Sequence, residues 1–364
     1  MRTRAIAAGA VGAVMLALPA AAQAATKVVG MGPAPTVSKA LNKLVKNPKA
    51  DFIDANAFFP SGTTIHVGDR VRFVPYGNFH TVDFPARGGD PTALFASTGA
   101  KENQNDAAGQ PFWWSGVTDV LSFNPTLFSG SFGKKVTYSG AQAVNTGLPL
   151  GPAKPMTVKF TKAGRYTYFC DVHPNMTGTV RVKPRGTAIP TAKADRKRVR
   201  KATAADLATA KNVAKSKPPK NTVTLGASGP GGVEYFQMFP RKLTVSPGTT
   251  VRFTMTKRSR EVHTAAFGQN PALSSSYLHP IVAGFEGRAP VLDGRGVYQS
   301  DPPGKVASMS STLHGNGFWN SGVLDSSRAT VLLPTYQTLR FDAPGSYQYY
   351  CLIHTNMHGT IVVK

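Results

Sequence analysis

Cysteine is almost absent from this chain: its 364 residues include two, Cys170 and Cys351. That excludes a disulfide-stapled scaffold, since a single pairing is all two thiols allow. Acidic residues are also scarce, with 18 Asp and Glu against 42 Lys and Arg and a formal charge of +24. Long apolar runs are missing beyond the first two dozen residues, so no second membrane span is expected. Histidine is thinly spread: the eight include no His-x-His pair.

The one apolar run, "AIAAGAVGAVMLALPAAAQA", follows Arg2 and Arg4 and closes on the small-x-small pattern Ala22-Gln23-Ala24. This is the layout of a secretory signal peptide, with cleavage expected after Ala24. No cysteine follows directly and Thr3 separates the two arginines, so neither a lipid anchor nor a twin-arginine signal is expected. The mature protein is expected to be secreted or otherwise extracytoplasmic, in a periplasm or at the cell exterior. There a strongly basic protein rarely meets nucleic acid, so no nucleic-acid role is expected. Anionic cell-wall polymers, a membrane surface or an acidic protein partner suit the charge better.

The chain repeats itself. "FFPSGTTIHVGDRVRF" (58–73) aligns without a gap to "MFPRKLTVSPGTTVRF" (238–253), and "FWWSGVTD" (112–119) to "FWNSGVLD" (318–325). Finally, "VKFTKAGRYTYFCDVHPNMTGTVRVK" (158–183) aligns to "LRFDAPGSYQYYCLIHTNMHGTIVVK" (339–364). Both copies alternate apolar and polar residues between Gly and Pro turns, which predicts short strands in an antiparallel Greek-key β-sandwich. The expected organisation is a signal peptide (1–24), a first domain (25–183), a basic linker (184–222) and a second domain (223–364). Helices are expected at 36–47 and 194–217. The linker carries 11 Lys and Arg against 2 Asp; it reads as a solvated helix with a sparse apolar stripe, or else as an electrostatic docking surface.

Each copy places Cys, His and Met at intervals of three: Cys170, His173 and Met176, then Cys351, His354 and Met357. A Cys170–Cys351 disulfide would leave the accompanying His and Met unexplained. Metal ligation accounts for all three. On a helix these positions would spread about 9 Å along the axis, too far to share one ion, so each segment must be a curled loop. A fourth ligand recurs upstream, His80 in "NFHTV" and His263 in "EVHTA". Two imidazoles, a thiolate and a weak thioether describe a blue copper centre. Zinc would also take Cys and two His, but would prefer another thiolate or a carboxylate to methionine.

Both repeats resemble cupredoxins, the blue copper family that includes plastocyanin, pseudoazurin and amicyanin, on "VGDRVRF…H" and "GRYTYFCDVHPNM" and on "VSPGTTVRF…H" and "GSYQYYCLIHTNM". The compact C-x-x-H-x-x-M loop is most similar to that of amicyanin. The resemblance implies an all-β fold of two tandem Greek-key sandwiches with extended insertions and short preceding helices. It also implies two type 1 copper ions, held by His80, Cys170, His173 and Met176 and by His263, Cys351, His354 and Met357. It breaks at two points. Thr81 and Thr264 stand where many members have an asparagine that tethers the cysteine loop. The His-to-Cys separations, 90 and 88 residues, leave room for an insertion in each copy that the resemblance does not cover. Phe112, Trp113, Phe318 and Trp319 read as aromatic anchors for these insertions, with a platform for a partner or sugar as the alternative. His66, His279, His314 and His358 read as surface or loop residues, His358 lying close enough to Met357 to modulate its site.

Three classes of function follow. The leading one is electron transfer by a secreted carrier cycling Cu(II) and Cu(I), in exchange with a redox partner bearing an acidic docking surface. The second is extracellular copper buffering or delivery. The third is a multicopper oxidase or a nitrite reductase-like enzyme. The third is disfavoured, because Phe169 and Asp171 flank Cys170, Tyr350 and Leu352 flank Cys351, and no His-x-His pair is present.

Overall fold

A computed structural model describes residues 24–48, 51–77, 79–101, 119–268, 282–286, 289–300, 307–309, 319–326, 333–354 and 356–364. Alternation decides the strands. In "MTVKF" (Met156–Phe160), Met156, Val158 and Phe160 are buried while Lys159 faces out; in Tyr336–Phe341, Gln337, Leu339 and Phe341 are buried and Arg340 is exposed. One face of each such strand must therefore be covered by a second sheet.

Each repeat builds two facing sheets. In the first, one sheet has the order Phe58–Phe59, Thr26–Met31, Arg70–Pro75, Met156–Phe160, Lys135–Tyr138. The other runs Val144–Asn145, Asp83–Phe84, Gly164–Phe169, Thr177–Lys183, Gly62–His66. The second repeat follows the same plan, with Val233–Phe239, Thr222–Gly229, Thr249–Thr254, Tyr336–Phe341 and Ala307–Met309 against Lys242–Val245, His358–Val363, Gly345–Tyr350, Ala266–Phe267 and Trp319–Asn320. The expected all-β tandem sandwich is thus present, but it is mixed rather than purely antiparallel. Thr26–Met31 lies parallel to Arg70–Pro75, and Gly62–His66 parallel to Thr177–Lys183, with matching parallel pairs in the second repeat. Neighbouring parallel strands need a connection that leaves the sheet and returns, which crossing between the two sheets supplies. Phe73, Phe84 and Tyr168 fill the first core; Phe253, Phe267 and Tyr349 fill the second at matching positions.

The repeats interlock. Phe52–Ala55, between the strands Thr26–Met31 and Phe58–Phe59 of the first sandwich, adds to the edge of a sheet of the second, pairing antiparallel with Val233–Phe236. Phe52 stacks on Phe236 with ring centroids 4.0 Å apart. The insertions also meet: Phe95–Lys101 and Asp119–Phe123 share a four-stranded sheet with Val282–Glu286 and Ala289–Leu292. Helices at Pro35–Asn42 and Ala192–Val213 stop short of the expected ends. Leu41 from one, and Ala210 and Val213 from the other, pack with Ile53, Ala227, Val233 and Tyr235. The longer helix keeps most of its Lys and Arg residues exposed, as its sparse apolar stripe implied. Among the described residues no helix is long and apolar enough to cross a membrane.

Ile53 is fully buried on the strand that one repeat lends to the other. Ile53→Ala is expected to lower the unfolding free energy of the whole chain by about 2–5 kcal/mol. Chemical denaturation measures this, and an unchanged midpoint would show that the lent strand does not hold the repeats together.

Candidate metal centres

In each repeat three neighbouring strands converge at one end of the sandwich. Cys170 follows the last residue of Gly164–Phe169, and Met176 immediately precedes Thr177–Lys183, so the loop between two paired strands carries Cys170, His173 and Met176. Phe169 also pairs with Asp83, which brings the segment just after His80 alongside. The second repeat does the same with Gly345–Tyr350, His358–Val363 and the Ala266–Tyr350 pair. The amide of Cys170 donates to the Met176 carbonyl and that of Met176 to the His173 carbonyl, at 2.9 and 3.1 Å. The equivalent bonds curl the second loop, at 2.9 and 2.8 Å. The curled loop expected from the spacing is therefore closed by its own backbone.

The structure brings three of the four candidate residues of each repeat together. His80, Cys170 and His173 form one buried group and His263, Cys351 and His354 another, the donor atoms of each lying within 4.8 Å of one another. His80 Nδ1 is 3.0 Å from His173 Nδ1, which is 3.3 Å from Cys170 Sγ. In the second group the two Nδ1 atoms are again 3.0 Å apart, and Cys351 Sγ lies 3.6 and 3.8 Å from them. An ion bound at about 2.0–2.3 Å by three donors holds them at about this spacing. Met176 and Met357 are both buried at the ends of their loops. Both cysteines are free thiols, so the disulfide reading falls.

Electrostatics favours a cation. Burial opposes ionisation of the Cys170 thiol, but the His173 and His80 imidazoles outweigh it and hold the thiol well below its ordinary range. Cys351 is held down in the same way by His263 and His354. Burial would lower His354, yet its hydrogen bonds to Cys351 and Glu261 raise it to about 9. A bound cation takes over the role of these protons and releases them.

Two pairs of residues support the ligands. The Thr81 amide donates to Cys170 Sγ at 3.4 Å, and its hydroxyl accepts from the Asp171 amide at 2.7 Å. Thr264 makes the same two bonds, at 3.4 Å to Cys351 Sγ and 2.7 Å from the Leu352 amide. Threonine thus ties the cysteine loop at the position where the resemblance led one to look for asparagine. Gly32 and Gly226 went unnoticed in the sequence. Both have positive φ, 88° and 70°, and a Cβ would fall 2.7 Å from His80 Nε2 at the first and 2.8 Å from His263 Nε2 at the second. The available signal was their equivalent place in the two repeats, Gly32 directly after Thr26–Met31 and Gly226 within Thr222–Gly229.

Trp319 is buried against Phe253 and Phe267, as expected of an aromatic that fixes the insertion to the sandwich. Phe112, Trp113, Phe318, His279 and His314 lie outside the described residues. His66 is partly exposed, bonding the Thr187 carbonyl at 2.7 Å, and His358 contacts Arg241 Nη1 at 3.1 Å. Neither joins a donor group.

Glu261 was also missed. Its Oε1 lies 3.0 Å from His173 Nε2 and its Oε2 3.5 Å from His354 Nε2, so one carboxylate touches both groups. The signal was a break in the repeat: an acidic residue two places before His263, where the other copy has Asn78 two places before His80, in a chain poor in acid.

No protein-family model and no curated protein sequence matches the chain. Solved structures overlap part of it. The oxidised plastocyanin of the fern Dryopteris crassirhizoma is 21% identical, covering 39% of this chain and 99% of its own, with a TM-score of 0.21. A Cu(I) form of a mutant amicyanin is 14% identical over 42% of this chain and 89% of its own, with a TM-score of 0.21. A purple cupredoxin from Nitrosopumilus maritimus is 16% identical over 39% and 98%, with a TM-score of 0.20. The chain's own two sandwiches and their His–Cys–His groups, rather than these low overlaps, fit a tandem cupredoxin with room for two copper ions.

Gly32→Ala is expected to push His80 out of line and abolish copper uptake at the first site while leaving the second intact. Gly226→Ala is expected to do the reverse. Counting bound copper per chain after gel filtration checks both, and full occupancy in either variant would contradict the packing argument.

Proposed function

We propose that this protein is an extracytoplasmic electron carrier with two type 1 copper sites. Its ligands are His80, Cys170, His173 and Met176 in the first and His263, Cys351, His354 and Met357 in the second. The observation that carries this reading is the pair of equivalent, buried His–Cys–His groups at one end of each sandwich. Copper held there supplies a one-electron Cu(II)/Cu(I) couple.

What the chain contributes is a rigid setting. Thiolate and thioether suit Cu(I), whereas imidazole suits both oxidation states, so a mixed set fixed on stiff strands asks for little movement when an electron arrives. The Thr81 and Thr264 amides donate to the cysteine sulfurs, stabilising the charge on them and tuning the potential. Burial keeps water and oxidants from the thiolates.

Residues 25–183 and 223–364 are assigned to the two cupredoxin domains, with 184–222 as linker and 1–24 as an export signal. Residues 52–55 of the first domain serve in a sheet of the second. The exposed Lys and Arg of the helix Ala192–Val213 support docking to a redox partner with an acidic face.

Cu(II) titration of the purified protein, followed by the intense visible thiolate-to-copper band, is expected to saturate at two equivalents. Cys170→Ser and Cys351→Ser should each remove about half of the band, as thiolate ligation requires. A band untouched by either substitution would defeat the assignment.

A further inference from the structure

The contact between Glu261 and both donor groups reaches beyond a carrier with two independent sites. The two upstream imidazoles have glycine neighbours: Gly32 leaves room for His80 Nε2, which is buried without a hydrogen-bond partner, and Gly226 leaves room for His263 Nε2. The two downstream imidazoles differ. His173 and His354 turn Nδ1 toward their cysteines and Nε2 toward the same carboxylate, at 3.0 and 3.5 Å. A continuous chain results: Nδ1 of His173, its ring, its Nε2–H, the Glu261 carboxylate, the Nε2–H of His354, its ring and its Nδ1. His173, Glu261 and His354 are 4, 5 and 7% exposed, so water scarcely competes for these bonds.

The bridge is built into the fold. Asn56, which follows the strand that the first repeat lends to the second, donates from Nδ2 to Glu261 Oε1 at 2.6 Å. The amide of Asn56 is itself tied to the Gly232 carbonyl at 2.8 Å. On the other side the Arg260 amide donates to Glu234 Oε1 at 2.6 Å, and the Glu261 amide to Ser259 Oγ at 3.1 Å. One carboxylate therefore orients a ligand of each site and leaves each Nδ1 lone pair facing the metal position, the role that a carboxylate behind a ligating histidine performs in metalloproteins generally.

We propose that Glu261 joins the two sites into one redox unit, in which an electron accepted at either site exchanges with the other inside the molecule. This rests on the two-copper reading above. The exchange moves a single electron: one Cu(I) becomes Cu(II) as the other Cu(II) becomes Cu(I), with no proton and no outside reagent consumed. Glu261 is a positioning residue, acting through His173 and His354.

Two measurements test it. Proton NMR of the metal-free chain should show two slowly exchanging imidazole Nε2–H signals, from His173 and His354, both lost or shifted in Glu261→Gln, which keeps the side-chain volume but cannot accept from both rings. Flash reduction of the copper-loaded protein to one electron per chain should then give a first-order redistribution between the two visible bands. Its rate should be independent of protein concentration and slowed about tenfold or more in Glu261→Gln, the scale on which such supporting partners act. A rate that scales with protein concentration, or one unchanged in a Glu261→Gln chain holding two coppers, would overturn the proposal while leaving the two-copper reading intact. A wild-type chain that takes up no copper would overturn both.

Discussion

A soft sulfur anion held away from water beside two imidazoles is the constraint on which this molecule turns. Alone, a buried thiolate is costly, and burial by itself would keep Cys170 and Cys351 protonated. The imidazoles reverse that preference, and they do so only if they are pressed against the sulfur. Much of the surrounding architecture serves that end: a loop curled by its own backbone, a threonine bonded to the sulfur and to the next amide, and a glycine that clears space behind the upstream ring. A cation satisfies all of these charges at once, which is why the donor set and the sandwich belong together.

The doubling of the unit has its own consequence. Two sandwiches joined only by a linker would keep their sites apart. Here the strand Phe52–Ala55 is lent from one repeat to the other and the insertions share a sheet, so the ends that carry the ligands face a common carboxylate. The aromatic stack of Phe52 on Phe236, and the approach of the Phe236 ring to His354 at 5.0 Å, carry the lent strand's packing to the second site.

Much of this was legible in the sequence because the physics behind it is local. Alternation in "MTVKF" and "GRYTYFC" marks strands, and a Cys-x-x-His-x-x-Met spacing that no helix can focus on one ion demands a loop. The imidazoles of His80 and His263 could be found because the repeat displays them twice. What escaped depended on contacts distant in the chain. Nothing near residue 53 announces that it completes a sheet begun at residue 233. Gly32 and Gly226 resemble any other glycine of the chain until the imidazole behind each is placed. Glu261 is visible in the chain only as a departure from the other copy, and its role needs both domains in position. The parallel strand pairs were hidden for the same reason, since periodicity fixes which face is buried and not which strand lies alongside.

The most direct measurement of the central claim is X-ray absorption at the copper edge of the fully loaded protein. One short sulfur and two nitrogen neighbours are expected for each copper, with the short sulfur signal halved in amplitude per copper when either cysteine is replaced and both ions are retained. A shell of nitrogen and oxygen alone, insensitive to Cys170 and Cys351, would contradict it.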